Sequence, residues 1–302
     1  MSIATTTARQ VTRDVATGRS KDKAPVSLVF LLLLWFSMFF GVLVLVALIV
    51  NTAIDGSTRF DSELLTNYAS IVRPETSGFR AGILGSLWLM IFTAAMAVPL
   101  GIAAALYLEE FADPSTRWHR FVEVNLQNLA AVPAIVYGLL AVAILALVGL
   151  QETGIVLGGA LALALLILPV IIITTREAVR AVPREIREGS LALGATVWQT
   201  TWRQTLPSAV PGIATGTILG ISRAIGEAAP LVIVGLAGSV LFDPTGVMSR
   251  VTALPMQIYS LTSNSREELQ QAASAAIIVL LVMVLGLNAL AIFIRNKFQR
   301  SW

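Results

Sequence analysis

The sequence predicts an all-α integral membrane protein with six spans. Three observations lead there. The 302-residue chain is 56% hydrophobic and only 13% charged, where globular domains carry about 25% charged residues. Its mean hydropathy is +0.80, and the apolar residues gather into segments long enough to cross a bilayer. Lysine and arginine, finally, alternate between rich and poor loops in the way that membrane topology requires.

Composition also removes several kinds of chemistry. No cysteine is present, which excludes disulfides, thiolate metal sites and cysteine nucleophiles. His119 is the single histidine, so neither a His-pair metal site nor a Ser-His-Asp triad can be assembled. The three lysines, Lys21, Lys23 and Lys297, fall outside any Gly-rich phosphate loop. Nucleotide hydrolysis by this chain alone is therefore not expected. The pI near 9.6 reflects charge on one side of a membrane, and no nucleic-acid partner is expected.

Taken in order, residues 1–25 read as a Thr-, Ala- and Arg-rich cytoplasmic tail without apolar period. The first span covers 26–50, free of charge and longer than the ~20 residues a crossing needs. A cleavable signal would have a shorter apolar region and a small-residue cleavage site, so an uncleaved helix is expected. A polar loop, 51–80, leads to the second span at 81–108, which contains Pro99 and Gly101. The polar hinge 109–120 holds Asp113, Pro114 and His119, the last read as a solvated loop residue. The third span, 124–150, opens with Asn125, Gln127 and Asn128 as capping or anchoring amides and contains Pro133. A tight turn precedes the fourth span at 155–175, with Pro169 inside. The prolines read as packed kinks at least as readily as hinges. Trp88 and Trp118 read as interfacial anchors. The fifth and sixth spans are placed at 212–238 and 272–294, separated by the polar loop 241–271 and followed by a cytoplasmic tail at 295–302. No internal repeat is visible.

Orientation follows from counting Lys and Arg. The two tails, the 109–120 hinge and the 176–207 loop carry fifteen, the opposite side five, and Arg223 completes the twenty-one. Both termini are therefore expected in the cytoplasm.

The long cytoplasmic loop 176–207 is the main polar interruption of the C-terminal two thirds. Its middle reads as a short amphipathic helix that starts near Pro183, a good first-turn residue, and is broken at Gly194. Trp198 and Trp202 are spaced to share a helical face. Glu188, Gly194 six residues on, and Leu206-Pro207 further along resemble the cytoplasmic "EAA" loop of ABC-importer permeases. The sequence departs from that pattern at Gly189 and Ser190, where the family has Ala-Ala, and at Gln204, where it has Ile. The resemblance implies that Glu188, Gly189, Ser190, Leu191, Gly194, Leu206 and Pro207 couple the chain to an ATPase.

The fifth span carries Gly212, Gly216, Gly220, Ala224 and Ala228 every four residues, a stripe that lets another helix approach closely. Arg223 and Glu227 sit beside it, one helical turn apart, as the charged pair within the spans. An Arg in mid-membrane costs about 2.5–3.5 kcal/mol on insertion scales, so a partner or an aqueous path must compensate. Two readings stay open: a local pair that neutralises itself and fixes packing, or a lining of the translocation path that presents Arg donors to an oxyanion. Ser222-Arg-Ala-Ile-Gly-Glu-Ala-Ala-Pro-Leu231 resembles the fifth helix of the PstA-like permeases of bacterial phosphate importers. Ala253-Leu-Pro-Met-Gln-Ile-Tyr259 is similar to that family's segment before the last span.

The resemblance covers about residues 31–298. It implies a type I ABC-importer (MetI-like) permease fold in the bacterial inner membrane, with Arg223 and Glu227 on the phosphate path. It further implies a heterodimer with a PstC-like permease, two ATPase subunits that use ATP and Mg, and an extracytoplasmic phosphate-binding protein. This chain itself is expected to bind no cofactor or metal. The alternatives are an ABC permease for another oxyanion such as molybdate or sulfate and, from a different class, a stand-alone ion-coupled secondary transporter. The latter usually shows repeated halves. A membrane enzyme would need a His, Cys or paired-carboxylate constellation that the sequence lacks.

Overall fold

The computed structural model describes residues 25–70 and 72–298; the expected tails at 1–24 and 299–302 lie outside them. All named elements are helical, and the described residues form one isolated antiparallel bridge, between Ile155 and Arg250. Residues 1–51 and 52–302 are two separate units. The first is represented by residues 25–51 of helix α1 (Pro25–Gly56), whose side chains are exposed from Leu28 to Val50.

In the second unit, α2 (Arg80–Leu106) ends in a π-helical turn, Tyr107–Phe111. Helices α3 (Arg117–Ala130), α4 (Ala134–Leu147) and α5 (Val156–Arg180) follow. Helix α6 (Arg184–Ala192), in the long polar loop, precedes a one-turn helix, Val197–Thr200, and a second π turn, Thr201–Thr205. That turn runs directly into α7 (Leu206–Gly226), and α8 (Ala229–Val234), α9 (Leu254–Thr262) and α10 (Glu267–Phe298) complete the chain.

Helix α5 is the hub. It packs against α2, α3, α4, α7 and α8, and Val156, Ala160, Ile167 and Ile171 are fully buried. Close approach depends on missing side chains. A Cβ at Gly101 would fall 2.6 Å from Ile171 Cγ2, and one at Gly159 would fall 2.7 Å from Leu89 Cδ2. Without an aqueous hydrophobic drive between membrane helices, such tight packing supplies the association.

Two spans differ from their sequence-based expectation. The 124–150 segment is not one straight helix, since α3 and α4 meet at 112°. Pro133 lacks the N–H that would continue the helix and disfavours helical geometry at the residue before it. Helix α3 is also amphipathic, with Arg117, Arg120 and Glu123 on it, so it begins well before the apolar stretch. The 212–238 segment starts earlier, at Leu206, and is interrupted between Gly226 and Ala229. The ring of Pro230 would meet the Gly226 carbonyl in a continuous helix. Four described helices are long and apolar enough to cross a membrane, and the bent α3–α4 pair makes a fifth candidate. The broken α7–α8 segment is the remaining apolar stretch.

The loops expected at 51–80 and 241–271 are built structures. Arg59 is buried and donates to the carbonyls of Pro74 and Ser77. Arg80 ties the two loops together through Asp243 at 2.5 Å, beneath the Tyr68 ring. Backbone bonds from Val156 and Leu157 to the carbonyls of Ser249 and Val247 fasten the second loop to the start of α5.

Candidate functional site

Two charged regions carry the functional interest. The first lies where α7 breaks. The glycine stripe faces α5: a Cβ at Gly212 would fall 2.6 Å from Ala178 Cβ, and one at Gly216 2.1 Å from Thr174 Oγ1. Gly220 lies opposite Ile171 and Ile167, and Ala224 is buried in the same core. As numbers rise along α7 they fall along α5, so the helices are antiparallel. Arg223 consequently lies level with the middle of the 25-residue α5, at mid-membrane depth.

Glu227 is not on the helix. It caps α7 with extended backbone (φ −87°, ψ 112°), while Arg223 occupies the last turn. There the C-terminal dipole of the helix favours a cation. The pair is loose: Arg223 Nε and Glu227 Oε1 are 3.9 Å apart, with side chains 45% and 29% exposed. That distance is a charge contact rather than a hydrogen bond. Among the described residues no side-chain hydrogen bond engages Arg223, so its guanidinium keeps its donors at mid-membrane depth beside Glu227. Beside it, Ser222 Oγ bonds Asn288 and the Ile218 carbonyl, pinning α7 to α10.

The second region is the long polar loop, 176–207. Pro183 caps α6 and Gly194 terminates it at φ +85°, a left-handed conformation that glycine adopts without strain. Thr196 and Gln199 form a reciprocal capping box that starts the next turn, and Ser190 Oγ lies 2.9 Å from Thr200 Oγ1. Glu188, Gly189 and Leu191 are exposed. Leu193 is 90% and Trp198 59% exposed, an apolar surface on an otherwise polar loop. The rings of Trp198 and Trp202 lie 5.4 Å apart on the shared face expected from their spacing. Leu206 instead turns inward against the cluster of Leu106, Val179 and Ile213, while Pro207 begins α7.

Beneath this loop lies a network that sequence reading missed. Glu109, in the π turn after α2, contacts Arg176 at 2.5 Å and Arg180 at 2.9 Å. Glu123 of α3 contacts the same arginines at 3.1 and 3.6 Å. Arg187 of α6 contacts Glu110 at 3.1 Å and donates to the Val179 carbonyl at 2.5 Å. The side chains of Arg176 and Glu110 are only 6% and 8% exposed. The available signal was Arg176 and Arg180, four apart on one helix face, together with two adjacent glutamates at the end of the second span. His119 belongs to the same end of the molecule and corrects an expectation. It is buried on α3, with its backbone N–H donated to the N-cap Thr116, and is not a solvated loop residue. Trp118 is 69% exposed, whereas Trp88 packs on Phe92. The described residues contain no cluster of His, Asp and Glu able to hold a metal ion.

A bundle of apolar helices, one of them broken beside the Arg223–Glu227 pair, with an amphipathic helix displayed on a polar loop, fits a membrane permease subunit. The chain belongs to the family of binding-protein-dependent transport system inner membrane components, whose model matches residues 97–302. It is 36% identical over 249 residues to the phosphate transport system permease protein PstA of Mycobacterium leprae, covering 81% of this chain and 79% of that one. Among solved structures it is similar to a permease of the MetNI methionine ABC transporter (TM-score 0.55, 16% identity, 73% of this chain and 95% of that one). It is also similar to a bacterial alginate ABC transporter in complex with a pentasaccharide-bound periplasmic protein (TM-score 0.65, 17% identity, 97% and 98%). The fold is thus that of MetI-like ABC-importer permeases, a multi-pass membrane protein.

Proposed function

We propose that this chain is the transmembrane permease subunit of an ATP-driven importer of inorganic phosphate. The 36% identity to a phosphate permease supports the substrate. The observation that carries the mechanism is the mid-depth guanidinium of Arg223, free of hydrogen bonds and close to Glu227. Arg can offer paired donors to an oxyanion, and a carboxylate at 3.9 Å keeps the site near neutral, so that phosphate binds weakly enough to leave. The half-exposed face of α7 around Arg223 is the half-pathway, completed by a related PstC-like permease. The exposed surface of α6 with Leu193 and Trp198 seats on one of two ATPase subunits, which bind and hydrolyse ATP with Mg; this chain holds neither. An extracytoplasmic phosphate-binding protein delivers substrate to the face formed by the 51–80 and 241–271 loops. Both termini lie in the cytoplasm.

The test is uptake of radiolabelled phosphate by the complete complex in proteoliposomes, with sulfate and molybdate as competitors. Phosphate uptake that resists both at tenfold excess is expected. Preferential transport of sulfate or molybdate would replace the substrate while keeping the permease.

A further inference from the structure

We infer that the Arg187–Glu110 pair is the joint through which a displacement of α6 reaches α2, making both of them positioning residues for coupled transport. This rests on the reading that α6 seats on an ATPase. Helix α6 is joined by the chain to α5 and α7 only, and both joins are bends: Pro183 on one side (φ −53°, ψ 139°) and Gly194 on the other (φ +85°). A push on α6 would be absorbed at these two bends unless something else held it. Arg187 is that hold. Its Nη2 lies 2.5 Å from the Val179 carbonyl at the end of α5 and 3.1 Å from Glu110 Oε1.

Glu110 sits where α2 ends, in the π turn 107–111; its Oε1 is shut away from solvent and accepts no hydrogen bond, so Arg187 holds it as an ion pair by charge alone. Separating the two would leave the Glu110 carboxylate buried without its cation, which favours their moving together. Phe111, next in the same turn, packs on Trp198 at 5.9 Å and gives the loop a second grip on α2. Its neighbour Glu109 is occupied with Arg176 and Arg180, which leaves Glu110 alone to face α6. The other π turn, Thr201–Thr205, lies where the loop rejoins α7. Both π turns of the described residues therefore flank the loop, at the ends of two spans, where such turns commonly mark functional sites.

The experiment uses the complete complex, with partner subunits made cysteine-free, in proteoliposomes; the readout is phosphate taken up per ATP hydrolysed. Glu110→Gln, or Arg187→Gln, should lower that ratio roughly tenfold, within the range of typical coupling energies, in complexes that retain the ATPase. Arg187→Lys, which keeps the charge and is the variant to use if Arg187→Gln fails to assemble, should give an intermediate ratio. Because this chain has no native cysteine, Glu110→Cys/Arg187→Cys can be bridged with a short bifunctional thiol reagent, and bridging should restore the ratio. An unchanged ratio in assembled Glu110→Gln complexes overturns the joint and leaves ATPase docking intact. Loss of transport on bridging also overturns it, since the contact would then have to open in each cycle. If the Leu193→Ser/Trp198→Ser complex keeps the ATPase and the ratio of the wild-type complex, the docking surface itself is wrong, and the joint falls with it.

Discussion

Two of the charged regions of this chain are built on opposite terms. Under the long polar loop, Glu109, Glu110 and Glu123 meet Arg176, Arg180 and Arg187 in contacts of 2.5 to 3.6 Å, several of them nearly closed to solvent. At mid-depth, Arg223 and Glu227 face each other at 3.9 Å across a helix break, half exposed and without a hydrogen bond between them. The first arrangement fixes four elements together and leaves little for a ligand to do. The second leaves donors free, at a depth where free donors cost energy unless something passes by to use them. The network ties elements to one another, whereas the mid-depth pair is the one proposed to meet substrate.

That contrast is broken most forcefully in the network. Arg176→Ala should remove the buried cation between Glu109 and Glu123 and destabilise the chain by about 3–5 kcal/mol. The amount of folded permease recovered in mild detergent, and its thermal midpoint, would report this. Unchanged stability would mean that the network is not structural.

A middle-sized effect is expected at Gly194. Valine there would have to adopt φ +85°, which costs roughly 1–2 kcal/mol for a residue with a Cβ and more for a β-branched one. No atom lies within 4 Å of a Cβ at this position, so backbone strain, not bulk, is the cause. Gly194→Val should lower phosphate uptake per ATP hydrolysed, while Gly194→Asn, which tolerates the left-handed region, should retain most of it. Equal behaviour of the two variants would point away from backbone geometry.

The orientation is sharpened without perturbing stability at all. Single cysteines at the exposed Ser57 and Ser263 should react with an impermeant thiol reagent in sealed cells. One at the exposed Glu188 should react only after permeabilisation. The reverse pattern would invert the molecule and place the loop surface outside the cell.

Much of this was legible beforehand, for physical reasons. Apolar segments long enough to cross a bilayer announce themselves by composition, and α6 is bracketed by Pro183 and Gly194, both of which have strong local preferences. The four-residue repeat of Gly212, Gly216 and Gly220 declared a packing face before its partner α5 was known. What stayed hidden depends on contacts distant in sequence. Neither the 112° turn at Pro133 nor the break before Pro230 is compulsory, because a proline in a membrane helix can be accommodated when neighbours satisfy the freed backbone groups. Glu109 and Glu110 read as an ordinary polar hinge until Arg176, Arg180 and Arg187 are brought against them. Arg223 and Glu227 were visible as charges, but their helical pairing was not what formed, since Glu227 sits outside the helix.

The most direct measurement is uptake of radiolabelled phosphate by the double variant Arg223→Gln/Glu227→Gln, normalised to intact complex in the membrane. A desolvated ion pair often contributes little net stability over neutral groups of similar shape, so the neutral variant should assemble at near wild-type levels. Its phosphate uptake should nevertheless be abolished. Normal uptake by the assembled double variant would contradict the assignment and reduce Arg223 and Glu227 to packing.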